Sequence, residues 1–366
     1  MLVVAALFSL QEPSFSAPDF EKHVRFLASA DLKGRDPGTA EGRKAAQYVA
    51  DRFKETGLKP GAKDGWFQEF SARGIEGRNV IGLLEGEAAG EFVVVAAHHD
   101  GRGVIDGKVQ PGADDNASGV AMVLELARSF KDAKPHRSLL FVSFDGEEKG
   151  LLGSREFVKS GLYAPSSIAA MFVFDLIGGD FFEWEKDRVY ALGSEYSAEL
   201  SDRVVRAAGE SRDCELVRTA VALIEPYPEM ARSDYHAFRG KSVPFVFFST
   251  GTPWYYHTEY DTIDRVRFDK MTRLAVVIRK IIAGTAADAK RPVFRAPERV
   301  EEDARTVPAM LDRVLRERER LKLTPKQEEA AKAAAREIAE PGGVELKKLQ
   351  QAMIVLFNIA RSQGRP

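Results

Sequence analysis

Apolar residues follow two rhythms along this chain. Near the N-terminus they repeat at helical spacing. Phe20, Val24, Phe26 and Leu27 share one face, and Ala46, Val49, Ala50 and Phe53 repeat the pattern. Residues 19–56 therefore read as helices, with Gly57 as a stop and the turn-rich stretch 34–39 between them. Further on, short continuous apolar runs occupy residues 92–97, 139–144, 171–174 and 245–248. Runs apolar on both faces suit strands covered by helices on each side. Helical stretches at 117–130, about 198–208 and 270–282 alternate with them. The alternation predicts an α/β fold: a three-layer sandwich with a mixed, mainly parallel sheet flanked by helices.

The pattern changes after Pro292. Residues 298–366 are rich in Glu, Arg, Lys, Ala and Leu. Thr324-Pro325-Lys326-Gln327 reads as a helix start with Thr as cap, Pro in the first position and Gln in the third. Pro341-Gly342-Gly343 reads as a break. No heptad persists through the breaks, so the tail is expected to be a helical extension packed on the core rather than a coiled coil. The expected organisation is a signal-like segment at 1–17, one domain at 18–292 and the helical extension at 293–366. The first segment rests on the short apolar run from Leu2 to Leu10, followed by polar and small residues. It implies an extracytoplasmic location if it is a signal, and a cytoplasmic one otherwise.

Composition narrows the chemistry. The 366 residues are 44% hydrophobic, enough for a large core. With 53 Lys and Arg against 55 Asp and Glu, the net charge of -2 provides no basic field for nucleic acid. No run reaches the length of a membrane span. The single cysteine, Cys214, permits neither an internal disulfide nor a Cys-rich zinc site. A metal centre must draw on carboxylates and on six histidines.

Acid and histidine clusters follow the expected strands. They are His98-His99-Asp100 after 92–97, Asp114-Asp115-Asn116 at a helix start, Asp145-Gly146-Glu147-Glu148 after 139–144, and Asp175 after 171–174. His257 lies in the loop beyond 245–248. Ligands of open α/β sheets bind outside the carboxyl ends of the strands, so all five elements should converge on one edge. Alternation puts His98 and Asp100 on one side and His99 on the other. Imidazole and carboxylate suit a pair of zinc ions about 3.5–4 Å apart sharing a bridging carboxylate. Glu147 and Glu148 can provide one ligand and one free base. Singly, each feature has a plainer reading: Asp at a helix start caps it, Glu-Glu after a strand is a solvated turn, and His257 is a packing residue. Together they favour metal chemistry.

These segments, with Gly34-Arg35-Asp36-Pro37-Gly38, Asn79-Val80-Ile81-Gly82 and Ser233-Asp234, resemble the co-catalytic di-zinc aminopeptidases. That family includes bacterial leucyl aminopeptidases, aminopeptidase Y and the glutamate carboxypeptidase II branch. The resemblance runs from about Phe20 to Ile282. It implies that Asp115 bridges two zinc ions, that His98 and Asp175 complete one site, and that Glu148 and His257 complete the other. It further implies that Glu147 is the general base and acid acting on a metal-bridging hydroxide, that Asp100 orients His98, and that Ser233-Asp234 supports the ligands. The activity so implied is removal of the N-terminal residue from a peptide with a free N-terminus.

The chain departs from the family at Val173, where many relatives have Asn, and at Tyr235, where several have His. At Met230 some relatives carry an oxyanion-holding Tyr; Tyr227 and Tyr235 are the candidates to substitute, and the role stays unassigned. Pocket walls are expected from loops near 181–184, Tyr227 and 254–256. Two other readings compete: a glutaminyl cyclase or carboxypeptidase-like enzyme of the same fold, and a non-catalytic interaction domain.

Overall fold

The computed structural model describes residues 14–211, 213–225, 230–339 and 344–364. The apolar run from Leu2 to Leu10, Tyr227 and the Pro341–Gly343 break lie outside them. The elements in chain order are α1 (Ala17–Leu27), α2 (Ala40–Glu55), β1 (Lys59–Pro60), β2 (Phe67–Ala72), β3 (Ile75–Leu84), β4 (Ala88–His98), β5 (Val104–Ile105), β6 (Lys108–Val109), α3 (Gly119–Phe130), β7 (Arg137–Phe144), α4 (Leu152–Ser160), β8 (Ile168–Phe174), β9 (Arg188–Leu192), α5 (Ala198–Glu210), β10 (Glu215–Thr219), α6 (Tyr235–Arg239), β11 (Phe245–Ser249), α7 (Phe268–Ala287), α8 (Asp303–Arg316), α9 (Pro325–Ala339) and α10 (Leu346–Ser362).

The main sheet runs β1-β3-β7-β4-β8-β11-β9-β10, with β2 paired to β3. It is mixed. Strands β7, β4, β8 and β11 are parallel neighbours, as are β9 and β10. The edge pairs at β3 and the β11–β9 pair are antiparallel. Along β4, Val93, Val95 and Ala97 join the core under α1, α2, α3, α5 and α7, whereas Val94 and Ala96 join the core under α4 and α6. Burial on both faces is why this run is apolar at every position.

The helices form as their sequences dictate. Ser16 caps α1 by accepting the Asp19 amide, and Thr39 caps α2 by accepting that of Gly42. Phe15 already packs in the core, so the folded body begins ahead of residue 18. Thr324 and Gln327 exchange bonds at the start of α9, the Thr324 amide donating to Gln327 Oε1 at 2.9 Å.

The C-terminal helices share a third core with the sheet domain. Val307, Met310, Leu311 and Val314 of α8 and Leu349, Met353 and Leu356 of α10 pack with Phe181, Phe182, Ala220 and Leu223. The α8 positions keep the i, i+3, i+4, i+7 spacing of one buried face. Polar contacts fix the docking. The Arg218 fork meets Glu302 at 2.8 Å and 3.3 Å, Asp303 accepts the Ala220 amide, and Gln350 donates to the Ala222 carbonyl. None of the described helices is long and apolar enough to cross a membrane.

Candidate active site

The carboxyl ends of β4, β7, β8 and β11 lie along one sheet edge, and the five expected donors meet there. Asp115 stands between two groups. Its Oδ1 lies 3.5 Å from His98 Nε2, which is itself 3.6 Å from Asp175 Oδ1. Its Oδ2 lies 3.1 Å from His257 Nε2, which is 3.3 Å from Glu148 Oε2. In each triad, His98–Asp115–Asp175 and Asp115–Glu148–His257, the donor atoms fall within 4.8 Å of one another. His98 Nε2 is buried and has no hydrogen-bond partner among the described residues. An orphaned imidazole nitrogen facing carboxylates, in a set of two imidazoles and three carboxylates, fits zinc.

Electrostatics give the same answer. Burial alone would raise the Asp115 pKa, but His257 and His98 outweigh it and hold the group low. His257 is opposed by burial and raised to about 9 by Asp115 and Glu148. Glu147 approaches His98 Nε2 at 4.0 Å yet belongs to neither triad. Burial pushes its carboxyl well above the ordinary range; His98 opposes this, and Asp175, Asp234 and Glu148 add to it. Negative charge is in surplus at a buried site, which calls for cations.

Local structure explains each placement. Asp115 sits in a turn before α3 that Gly112 and Gly119 make possible. A Cβ on Gly112, at φ +60°, would come within 2.2 Å of the Asp115 carbonyl, and one on Gly119 within 2.1 Å of Asn116 Oδ1. Asn116 ties the turn to β8, donating to the Phe174 carbonyl at 2.8 Å. Asp261 accepts the amides of Asp114 and Asp115 at 2.8 Å and 3.0 Å. Asp114 accepts the amides of Gly178 and Gly179 and the Tyr255 hydroxyl.

From behind, the fully buried Arg35 donates to the carbonyls of His99, Leu27, Pro111 and Gly112. His257 itself lies at φ +60°, an uncommon backbone for a non-glycine residue and one found at functional sites.

Asp100 does more than face His98. Its Oδ1 is 3.5 Å from His98 Nδ1, while the Asp100 carbonyl is closer at 3.3 Å. Its two oxygens accept the amides of Glu147 and Glu148 at 3.0 Å and 3.1 Å, setting that turn. Asn79 braces the same loop by accepting the Asp145 amide and donating to the Gly153 carbonyl. His99 points to the other side and meets Ser143 Oγ at 3.0 Å; burial lowers its pKa to about 4.

Residues 79–282 match the family model described as Peptidase family M28. The chain belongs to peptidase family M28. A curated relative, a "probable zinc metalloprotease" of Pyrenophora teres f. teres (strain 0-1), is 39% identical over 103 residues, which is 27% of this chain and 22% of the relative. The chain thus spans about a fifth of that protein's length. Among solved structures, a zinc aminopeptidase from Bacillus subtilis superposes with a TM-score of 0.62 at 15% identity, over 79% of this chain and 100% of that one. The LapA aminopeptidase of Legionella pneumophila gives 0.62 at 18% identity, over 75% and 73%. Both share the fold.

Within this M28 site, Tyr235 is not placed to replace the family's oxyanion donor. That ring stacks on Phe245 in the core, and its hydroxyl is spent on Glu225 Oε1 at 2.6 Å. His236 is also turned away, toward Arg239. Ser233 and Asp234 are fully buried, and the charge of Asp234 reaches Glu147 and Asp175. Tyr256 is the phenol that faces the cluster. It stacks on His257 with centroids 3.7 Å apart, and burial with the charges of Asp115, Asp175, Glu147 and Glu148 pushes its pKa well above the ordinary range.

Of the expected pocket loops, Phe181 and Tyr256 line the cavity beside Asp175, while Trp254 lines a different hollow with Arg265 and Arg267. Sequence reasoning missed Arg35 and Asp261 as supports, although Arg35 lies inside a segment that carried the family resemblance.

Proposed function

We propose that this M28 chain is a zinc-dependent exopeptidase that removes the N-terminal residue of peptides. One observation carries the reading: Asp115 divides its two oxygens between two donor triads, and Glu147 stands beside them uncommitted. Family membership, the zinc metalloprotease named among the relatives and the aminopeptidases that share the fold support it. His98, Asp115 and Asp175 would hold one ion, and Asp115, Glu148 and His257 the other. Two such ions, when bound, supply Lewis acidity toward the scissile carbonyl and lower the pKa of a water.

The chain's own residues do the rest. Glu147 takes the water's proton onto a carboxylate oxygen and returns it to the leaving amine, work that suits a carboxyl whose pKa burial raises well above the ordinary range. The Tyr256 hydroxyl stays protonated and donates to the carbonyl oxygen as it gains charge. Asp100 fixes the turn that presents both glutamates. Surplus carboxylate charge attracts the free α-amine of the substrate. A non-catalytic reading would leave the complete donor set and the free Glu147 without a purpose.

Replacing Glu147 with Gln tests the assignment. Zinc content should stay at the wild-type level while turnover of aminoacyl-anilides falls by at least about 100-fold, the scale of general acid–base catalysis. Hydrolysis at the wild-type rate would refute it. Acetylating the substrate's α-amine should stop cleavage, and release of ammonia from N-terminal Gln would instead mark a cyclase.

A further inference from the structure

Helices outside the matched M28 segment wall a cavity that opens at the donor cluster. The cavity measures about 270 Å³ and begins at Asp175 and Tyr256. Phe247 of β11 lines it from the sheet, and Met310 of α8 with Met353 and Phe357 of α10 lines it from the C-terminal extension. We propose that this cavity receives the side chain of the substrate's first residue and selects a large apolar one, so that the C-terminal helices form the wall of the specificity pocket. The identity of the guest rests on the exopeptidase reading above.

Size, lining and charge support the choice. Pockets for drug-sized ligands span roughly 300–1,000 Å³, so this one suits one or two side chains. Its lining is rich in aromatic, aliphatic and methionine side chains, and methionine adapts its shape to apolar guests. Of the acids that line it, Asp175 belongs to a donor triad, and Asp303 is buried with one oxygen accepting the Ala220 amide and its carboxyl raised to about 7 by burial. The cations that line the cavity, Arg232 and Arg361, are exposed. A lysyl or arginyl side chain would meet the like charges of Arg232 and Arg361 there. The wall is also preformed, because α8 and α10 are fastened through Glu302, Asp303 and Gln350 to residues 218–222.

The test compares kcat/KM for leucyl-, alanyl- and lysyl-p-nitroanilide in the zinc-loaded wild type and two variants. Met310→Trp fills the cavity from α8. Ile354→Glu places a carboxylate at a lining position on α10 that is 45% exposed, where a charge does not threaten the core. The wild type should prefer leucyl over alanyl by about 10–200-fold, the range for added methylenes in an apolar pocket. Met310→Trp should erase most of that preference, and Ile354→Glu should raise lysyl relative to leucyl by about tenfold.

Ratios unchanged in both variants would overturn the pocket while leaving the exopeptidase standing. If the wild type cleaves none of the three, the exopeptidase reading fails. Calorimetry with L-leucinamide then decides the pocket. Binding that Met310→Trp abolishes supports it, and absent or undiminished binding overturns it.

Discussion

A single carboxylate organises the site. Each oxygen of Asp115 faces a different imidazole, and the backbone around it is held by other side chains. Asp261 grips its amide, and Arg35 fixes the Pro111 and Gly112 carbonyls that lead into the turn. Tyr256 is placed by its stack on His257 and by its amide, which donates to the Pro253 carbonyl. If its hydroxyl steadies the developing oxyanion, Tyr256→Phe should lower kcat by about 10²–10³-fold with little change in KM. Steady-state kinetics on a leucyl-anilide measures this, and a change confined to KM would remove Tyr256 from that role.

Strand ends present the donors, whereas helices close the pocket. Parallel neighbours β7, β4, β8 and β11 bring their carboxyl ends to one edge, which is why clusters far apart in the chain meet. The junction with the C-terminal helices carries two buried carboxyls. Glu195 accepts the Val221 amide and Asp303 that of Ala220, and each keeps one oxygen without a partner among the described residues. Burial raises both to about 7; the amide bonds and Arg218 oppose the rise, and for Asp303 the charges of Glu195 and Glu302 add to it.

Carboxyls raised above their unfolded values favour the folded state while protonated. Their contribution is fully present below about pH 4 and is lost as pH rises to about 7. The wild type should therefore lose stability between pH 5 and pH 8 relative to a Glu195→Gln/Asp303→Asn variant. Tm measured across that range tests the point, and parallel curves would contradict it.

Over the whole molecule, the sequence was legible where chemistry and periodicity are local. Four of the five donors follow an apolar strand or open a helix, His257 lies in a loop beyond a strand, and the family resemblance named them as a set. The long helices showed their faces, and Thr324 marked a helix start that the structure contains. Strands β9 and β10, at one end of the sheet, were hidden, because Arg188–Leu192 and Glu215–Thr219 mix polar and apolar residues and are only partly buried. Arg35 and Asp261 were hidden as supports because they act on backbone groups that no motif spells out. The pocket wall was hidden as well. Met310 and Phe357 stand more than 130 residues beyond Asp175, and only packing brings them to it.

The whole account depends on two cations sharing Asp115. Zinc content per chain, measured on purified wild type and on Asp115→Asn, tests that most directly. Two equivalents in the wild type, with both lost or severely weakened in the variant, is the expected result. A wild type that binds a single equivalent, or a variant that keeps two, would contradict it.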